Sequence, residues 1–385
     1  MQPRISLESQ KIIDDRRALH RIPEIGMDLP LTAEYCEQAL RGMGLVPKRI
    51  GCGMIVDLGT QGPLFAWRAD MDGLPIQEDT GADYASRFPG RMHACGHDAH
   101  MAVALGIARH FTLGRAPLPC RLRLILQPGE EGFHGARKMV EGGALEGVAA
   151  ISGMHVGSIF PELPRGCFGT RKGTVMAAGT TFEVNFKGRG AHGSNPHLAA
   201  DALLAACHYV TTLQTARYSG ASPVHPTVVT VGSIHSGAAA NVIPGEAVVT
   251  GTMRNTSLED LPAMIGQLDQ LARGVALFHG VEATVHTDLV TPLTANADPA
   301  LADLVAAAVT GTHGPESFMW FAEPNLGGED FGEYLKHVPG VFFFLATTPE
   351  GTTAPHHHPR FQVAEEFLGR AVPVVDALLR AWAAR

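Results

Sequence analysis

The spacing of apolar residues predicts alternating helices and strands in the first part of the chain. Helical spacing covers three stretches, residues 6–20, 31–43 and 99–111. Short apolar runs typical of strands cover residues 54–58, 64–67 and 121–127. Acidic residues follow two of these runs, with Asp70 and Asp72 after the second and Glu130 and Glu131 after the third. This alternation is typical of an α/β layer whose functional residues stand at strand ends.

The pattern changes near residue 178 to that of a two-layer α+β unit. Strand-like alternation covers residues 180–187, 228–234, 247–253 and 281–285, and helical spacing covers residues 199–216 and 258–277. The resulting β-α-β-β-α-β order is that of a ferredoxin-like unit. After residue 292 the α/β character returns, with a helix at 299–310 and a buried strand at 341–345. We therefore predict a discontinuous α/β domain, residues 1–178 and 289–385, interrupted by an inserted α+β domain, residues 179–288.

Composition and charge narrow the class of protein. A chain of 385 residues exceeds the size at which one core usually divides, which agrees with two domains. The net charge of −8, without a run of basic residues, argues against nucleic-acid binding and against an anionic membrane surface. The six cysteines are scattered, the N-terminal segment lacks an apolar core, and no run reaches the roughly 18 apolar residues of a membrane span. We expect a cytoplasmic protein.

Residue types that bind divalent metals cluster at five places along the chain. These clusters are Asp70-Met71-Asp72, Cys95-Gly96-His97, Glu130-Glu131, His155 and the run His356-His357-His358. Thiolate, imidazole and carboxylate are the ligands of zinc and related ions. Five or more such ligands from loops at strand ends can hold two ions and leave a position for water. Adjacent glutamates suit a division of labour in which one binds metal and the other accepts a proton from water.

Eight motifs in order resemble those of the metallo-aminoacylase family. They are RADMDGLP, HACGHDAHMA, LQPGEEGFHGARKMVEGG, GMHV, GRGAHGS, NVIPGEAVVTGTMR, GGEDF and HHPRF. This amidohydrolase family includes hippurate hydrolase, N-acyl-L-amino acid amidohydrolases and indoleacetyl-amino acid hydrolases, and it is related to carboxypeptidase G. The resemblance begins at RRALHRIPEIG and covers essentially the whole chain. It implies a metallopeptidase-like catalytic domain with an inserted lid and dimerisation domain.

The resemblance also implies a role for each residue that matches a motif. The implied ligands of two divalent ions are Cys95, His97, Glu131, His155 and one histidine of the 356–358 run, where the position two residues before the proline indicates His357. Glu130 matches the general base, and Asp72 matches an aspartate that orients a ligand. Asp70 stands where the wider family has a ligand histidine, so this chain has the thiolate variant of the centre. The ions are expected to be zinc, or manganese, cobalt or nickel.

In the inserted domain, the resemblance assigns three residues to substrate. His192 corresponds to a histidine that reaches the reaction centre of a partner subunit, which implies a homodimer or higher homo-oligomer. Asn241 and Arg254 match residues that hold the substrate carboxylate, a task that suits the planar fork of arginine. Taken without the resemblance, His192 is a surface residue, Asn241 belongs to a turn and Arg254 forms a structural ion pair.

The reaction implied is hydrolysis of the amide bond of small N-acyl amino acids, such as N-acetyl or N-benzoyl compounds, to a carboxylate and a free amino acid. Two alternatives stay open: a metallo-dipeptidase or aminopeptidase, and a non-catalytic regulatory protein on the same scaffold. His155, alone in an apolar stretch, could equally be structural. His93 and His100 are expected in supporting roles, and the two histidines of the 356–358 run that do not bind metal could be surface residues. Glu329 and Asp330 either line the pocket or are structural.

Overall fold

The fold was examined in a computed structural model that describes residues 6–113, 117–216, 222 and 224–385. The helices are α1 (Leu7–His20), α2 (Pro30–Gly42), α3 (His97–Thr112), α4 (Gly135–Glu141), α5 (Ala202–Ala216), α6 (Leu261–His279), α7 (Pro299–His313), α8 (Gly332–Leu335) and α9 (Ala371–Ala383). Strands β1 to β8 are Lys48–Ile50, Gly53–Leu58, Leu64–Asp70, Arg121–Gln127, Val148–Gly157, Phe168–Thr170, Gly173–Met176 and Ala178–Lys187. Strands β9 to β16 are Ala191–His192, Thr227–Ser236, Val242–Ile243, Glu246–Asn255, Glu282–Thr287, Thr294–Asn296, Phe318–Trp320 and Gly340–Ala346.

Contacts between Cα atoms divide the chain into two compact units. The first unit comprises Met1–Val175, Thr294–Asn325 and Asp330–Arg385, and the second comprises Met176–Leu293 and Leu326–Glu329. The main unit boundaries thus lie at 175/176 and 293/294, where the sequence predicted domain boundaries at 178/179 and 288/289. The short segment Leu326–Glu329, which the pattern of apolar residues did not separate from its surroundings, groups with the second unit.

An eight-stranded sheet forms the centre of the first unit. Its strand order is β1-β2-β4-β3-β5-β16-β6-β15. The four middle strands β4, β3, β5 and β16 run parallel to one another. Strand β2 pairs antiparallel with both β1 and β4, and β6 pairs antiparallel with β16 and parallel with β15. Strands β3 and β16 are buried along their whole length, as expected for parallel strands covered on both faces.

The helices of the first unit pack closely because small residues lie at their contacts. Gly106 in α3 faces Ile12 of α1, and a Cβ atom at Gly106 would lie 2.7 Å from the Ile12 Cδ1. α1 begins at the N-cap Ser6, whose side chain accepts a hydrogen bond from the backbone N–H of Ser9. A single core cluster includes residues from α1, α3, α9 and the middle strands, such as Leu19, Trp67 and Val375. This packing fixes α3, whose first residue is His97.

The second unit is a two-layer α+β structure. Its four-stranded antiparallel sheet has the order β10-β12-β8-β13. Alternate residues of β12 are buried, and these pack with residues of α5 and α6 in one core cluster that includes Phe186, Val249 and Leu268. A separate two-stranded ribbon joins β9 to β11. No helix in the described part of the chain is long and apolar enough to cross a membrane.

Candidate metal centre

The carboxyl ends of the parallel strands bring the metal-binding residue types of the first unit together. The Sγ of Cys95 lies 3.5 Å from the Nε2 of His155, in strand β5. The Nε2 of His357 lies 3.2 Å from the Oε1 of Glu131. The Nε2 of His97 lies 3.9 Å from carboxylate oxygens of both Glu130 and Glu131. Cys95 belongs to two of the resulting groups, one with His155 and one with Glu131 and His357.

Asp72 ties the glutamate loop to the histidine at the start of α3. Its two carboxylate oxygens accept hydrogen bonds from the backbone N–H groups of Glu130 and Glu131, both at 3.0 Å. Its backbone carbonyl oxygen lies 2.8 Å from the Nδ1 of His97. Asp72 is 1% exposed, so these bonds are shielded from water. One side chain therefore fixes the backbone of both predicted glutamates.

Two of the histidines have the ring tautomer that a metal ligand needs. The Nδ1–H of His97 donates to the carbonyl oxygen of Asp72, and the Nδ1–H of His155 donates to the carbonyl oxygen of Val156 at 2.7 Å. A carbonyl oxygen can only accept, so Nδ1 carries a proton in both rings and Nε2 is the nitrogen left to bind a metal. This is the usual arrangement around a metal-binding histidine.

His100 and Asp70 belong to a buried polar network rather than to the ligand cluster. The Nε2 of His100 accepts a hydrogen bond from the backbone N–H of Val156 at 2.9 Å, so its Nδ1–H donates to Asp70 at 2.5 Å. Arg68 donates to the other oxygen of Asp70 at 2.7 Å and to Asp330 at 2.8 Å. Both ring nitrogens of His100 are thus occupied, in agreement with its expected supporting role.

Asp330 is a structural anchor of the first unit. Its carboxylate accepts hydrogen bonds from Arg68, from the Gln127 side-chain amide and from the backbone N–H of Ala136 in α4, each at 2.8 Å. The sequence left its role open between pocket lining and structure, and these contacts favour structure. His93, which is 1% exposed, has no hydrogen-bond partner on either ring nitrogen among the described residues.

The three histidines 356–358 have different surroundings. His357 has φ +63° and its ring reaches Glu131, while its side chain is 50% exposed. His358 accepts a hydrogen bond from the backbone N–H of Arg360 at 3.0 Å. His356 is half-buried, and its Nδ1 lies 3.6 Å from the Cys95 Sγ. Of the two neighbours of His357 that could have been surface residues, His356 is half-buried, because its ring turns toward Cys95.

The carboxylates around Cys95 and His97 favour the binding of a cation. Burial lowers the pKa of His97, but Asp70, Asp72 and Glu131 outweigh it and raise that pKa to about 10. Burial, together with Glu131, Glu130 and Asp70, raises the pKa of the Cys95 thiol well above its usual value. Carboxylates thus outnumber cations around a buried thiol, an arrangement that is costly unless a cation binds there.

The neighbouring histidines supply little of that charge. Burial and the nearby rings of His100 and His356 lower the pKa of His155 well below its usual value. Burial and the neighbouring rings, His357 first among them, lower the pKa of His356 to about 3. Both rings are therefore neutral at pH 7, the form in which imidazole binds metals.

The residues present fit a divalent metal centre. The Nε2 of His97 is buried and has no hydrogen-bond partner among the described residues, so it is the ring atom left to bind an ion. With usual zinc–sulfur and zinc–nitrogen bond lengths, two ligand atoms of one tetrahedral ion lie about 3.6 Å apart. The Cys95 Sγ and the His155 Nε2 are separated by 3.5 Å. The types of ligand atom, the ring tautomers and the distance between ligand atoms all agree with the binding of a divalent metal.

In the second unit the ribbon of β9 and β11 brings two of the predicted substrate residues together. His192 pairs with Val242, and the carbonyl oxygen of Asn241 accepts a hydrogen bond from the N–H of Gly193 at 2.7 Å. Both His192 and Asn241 are exposed. The ring of His192 contacts the Ser194 hydroxyl, 2.7 Å from its Nδ1. A polar pair is thus presented to solvent at one ribbon.

Arg254, the third predicted substrate residue, lies on β12 of the same unit. Its side chain crosses Gly179, where a Cβ atom would lie 2.6 Å from the arginine Cδ. Its NH1 donates to the carbonyl oxygen of Met253, and burial lowers its pKa. No salt bridge to Arg254 is found among the described residues. The structural ion pair considered as an alternative is therefore absent from this part of the chain.

Similarity to known proteins agrees with this geometry. Residues 66–381 match the family described as Peptidase family M20/M25/M40. The chain belongs to this family. The expected resemblance is thereby confirmed, and so is the expected fold of an α/β catalytic domain with an inserted lid domain.

Relatives and solved structures cover nearly the whole chain. The N-acetyl-L-cysteine deacetylase of Bacillus subtilis is 34% identical over 95% of this chain and 87% of its own length. The N-acetyldiaminopimelate deacetylase of Streptococcus uberis is 36% identical over 96% of this chain and 98% of its own. The crystal structure of the Bacillus subtilis YXEP protein, described as a dinuclear metal-binding peptidase of the M20 family, has a TM-score of 0.82 at 32% identity and covers 98% of both chains.

Proposed function

We propose that this chain is a metal-dependent amidohydrolase that cleaves the amide bond of N-acyl amino acids to a carboxylate and a free amino acid. Membership of the M20/M25/M40 family supports a metal-dependent hydrolase. The deacetylase names of the Bacillus subtilis and Streptococcus uberis relatives favour small N-acyl amino acids as substrates. The observation that carries the proposal is the pair Glu130 and Glu131, whose backbone Asp72 holds beside the ligand cluster.

Five residues would hold two divalent ions, namely Cys95, His97, Glu131, His155 and His357. Bound ions would polarise the amide carbonyl and make a water molecule more acidic. Zinc suits the thiolate and imidazole ligands, and manganese, cobalt and nickel are the other candidates. His357 is preferred to its neighbours because its Nε2 faces Glu131 at 3.2 Å.

Glu130 acts as the general base and then as the general acid. Its carboxylate takes a proton from the attacking water while the water oxygen bonds to the amide carbon. The carbon–nitrogen bond then breaks, and Glu130 returns the proton to the leaving nitrogen, which departs as the amine of the free amino acid. The hydrogen bond from the Glu130 backbone to Asp72 keeps the side chain in place during both transfers.

The three residues of the second unit act on the substrate. His192 from a partner subunit stabilises the oxyanion of the tetrahedral intermediate, so the active enzyme is at least a homodimer. Asn241 and Arg254 hold the substrate carboxylate, and the guanidinium does so through two parallel hydrogen bonds. The exposure of His192, and the absence of an acidic partner for Arg254 among the residues that the structure describes, support these roles.

A reducing compartment suits the chain. All six cysteines are free, and Cys95 would lose its ligand role if it were oxidised. We therefore place the enzyme in the cytoplasm, where thiols stay reduced.

The replacement Glu130→Gln tests the base. It removes the proton acceptor and keeps the size of the side chain, so kcat should fall by about 10³-fold or more. Metal content, measured by mass spectrometry, should stay near that of the wild type. Activity within tenfold of the wild type would contradict the assignment of Glu130.

A substrate panel separates the amidohydrolase from the two alternatives. N-acetyl, N-benzoyl and indoleacetyl amino acids should be cleaved, whereas dipeptides with a free amino terminus should be poor substrates. The reverse preference would favour a dipeptidase or aminopeptidase. A protein that turns over neither set after reconstitution with zinc, manganese, cobalt or nickel would be a regulatory protein on the same scaffold.

A further inference from the structure

The ring of His356 is closely packed beside Cys95, the proposed ligand. Its ring packs against Phe361, with 4.6 Å between ring centroids, and against Gly157. Gly157 has φ +106°, and a Cβ atom there would lie only 2.2 Å from the His356 Nε2. Both the backbone conformation and the close ring therefore require glycine at this position.

The backbone fixes which ring nitrogen of His356 carries the proton. Its Nε2 accepts a hydrogen bond from the backbone N–H of Ser158 at 3.0 Å. Since a nitrogen that accepts has no proton in the neutral ring, the proton lies on Nδ1. That Nδ1 lies 3.6 Å from the Sγ of Cys95, within hydrogen-bonding range for sulfur.

The same contact argues against His356 as a metal ligand, although it groups with Cys95 and His155. To bind an ion through Nδ1, the neutral ring would need its proton on Nε2. That proton would then face the N–H of Ser158, donor against donor. His155 shows the opposite arrangement, because its Nδ1 faces a carbonyl oxygen and its Nε2 is left free.

We propose that His356 is a positioning residue that donates an N–H···S hydrogen bond to the thiolate of Cys95 and binds no ion itself. This inference rests on the proposed function, since it takes Cys95 as a ligand. A donor to a buried thiolate offsets part of its charge and fixes the direction of its lone pairs toward the ion. Groups that orient a ligand in this way commonly change metal affinity or activity by about 10- to 100-fold when they are removed.

The test uses the full-length protein loaded with cobalt, whose bond to a thiolate gives a charge-transfer absorption band. The variant His356→Leu removes the donor and fills a similar volume. We expect its band to move to longer wavelength, because the sulfur lone pairs lose a stabilising hydrogen bond. We also expect about 10- to 100-fold weaker metal binding with two ions still bound at saturation.

Two further variants separate the loss of the hydrogen bond from other effects of the replacement. In His356→Asn the side-chain amide can donate from nearly the position of Nδ1, so the band should return most of the way toward the wild-type wavelength. His358→Leu is the matched control, because the ring of His358 accepts a hydrogen bond from the N–H of Arg360 and not from a group of the ligand cluster, and it should leave band and affinity unchanged. Thermal unfolding of each variant checks that the fold is intact.

The possible failures differ from one another. A band in His356→Leu at the wild-type wavelength, with unchanged affinity, would overturn the role of His356 and leave the metal centre standing. Loss of one of the two ions in His356→Leu would instead make His356 a ligand and would also overturn the inference. A wild-type protein without any thiolate band would contradict Cys95 as a ligand, and with it the proposed centre.

Discussion

The two units hold their predicted functional residues in very different ways. In the first unit His97 and His155 are buried, and a backbone carbonyl fixes each ring from behind. In the second unit His192 and Asn241 are exposed, and the hydrogen bonds of the His192 ring to the described residues go to Ser194. The difference indicates that the fold itself holds the proposed metal ligands in place, whereas the roles proposed for His192 and Asn241 require contacts with a substrate or a partner subunit.

Within the first unit, the backbone separates histidines that can bind metal from those that cannot. His97 and His155 donate from Nδ1 to carbonyl oxygens and leave Nε2 as the nitrogen that can bind an ion. His100 and His356 face the N–H groups of Val156 and Ser158 and become donors on their other side. One residue type thus serves two purposes in one cluster, and the neighbouring backbone group decides which.

The largest expected effect comes from removing a fixed ligand. His155→Ala should lower bound metal from two ions toward one and reduce kcat/KM by more than about 10³-fold, beyond the 10- to 100-fold usual for groups that only orient ligands. Metal analysis and steady-state kinetics check both expectations. Full metal content in this variant would remove His155 from the ligand set.

Removing Asp72, which holds the proposed ligands through hydrogen bonds, should have an intermediate effect on activity. Asp72→Ala frees the backbone of Glu130 and Glu131 and the ring of His97, so activity should fall by about 10- to 100-fold. Titration with a metal-competing dye should show weaker binding as well. Asp83→Ala, an exposed carboxylate in the same loop region, serves as the control. Equal activity of the two variants would refute the supporting role of Asp72.

A smaller effect is expected in the second unit. Arg254→Lys keeps the charge and loses the planar fork, so KM should rise by about tenfold while kcat stays within a few-fold of the wild type. The same measurement with a substrate whose carboxylate is an amide should show little difference between wild type and variant. A fall in kcat at unchanged KM would instead connect Arg254 to the chemical step.

Breaking the ion pairs of Arg16, which involve Asp98 of α3, should have the smallest effect on activity. It should have a clear effect on stability. Arg16 contacts Asp98 at 2.7 Å and Glu365 at 3.0 Å, with Arg16 and Asp98 both about 1% exposed or less. Arg16→Met leaves the Asp98 carboxylate buried without its main partner and should lower the free energy of unfolding by about 3–5 kcal/mol. Urea unfolding at 25 °C checks this value, and a change below 1 kcal/mol would contradict it.

The ion pair between Arg16 and Asp98 makes the free energy of unfolding depend on pH. Burial raises the pKa of Asp98, but Arg16 and His20 outweigh it and hold that pKa far below its usual value. A carboxylate with a depressed folded-state pKa stabilises the fold above its unfolded-state pKa, about 3.9, and this contribution is lost as the pH falls further. The difference in unfolding free energy between wild type and Arg16→Met should therefore be full above about pH 5 and shrink in more acidic buffer.

Much of the fold could be predicted from the pattern of apolar residues. The strand predicted at 121–127 is β4 at the same residues, and the six elements of the inserted unit appear in the predicted order. Strand β5 was not predicted as a strand, because its ten residues are buried almost throughout and show no alternation. Helix α3 begins at His97 rather than Ala99, since Gly96 takes a φ of +91° and allows an earlier turn.

The candidate site was predictable only as a set of residue types. The motifs indicated Cys95, His97, Glu131, His155 and a histidine near residue 357, and the structure brings all of these together. The role of His356 could not be predicted, because the N–H that sets its tautomer belongs to Ser158, 198 positions away in the sequence. The anchor at Asp330 likewise depends on contacts with Arg68 and Gln127 from distant strands.

The most direct test is anomalous diffraction at the zinc absorption edge from crystals of the zinc-loaded protein. We predict two ions within bonding distance of Cys95, His97, Glu131, His155 and His357, with the rings of His100 and His356 turned toward the N–H groups of Val156 and Ser158. An ion bonded to His100 or His356, or the absence of anomalous signal beside Cys95, would contradict the claim that neighbouring backbone groups determine which histidines bind metal.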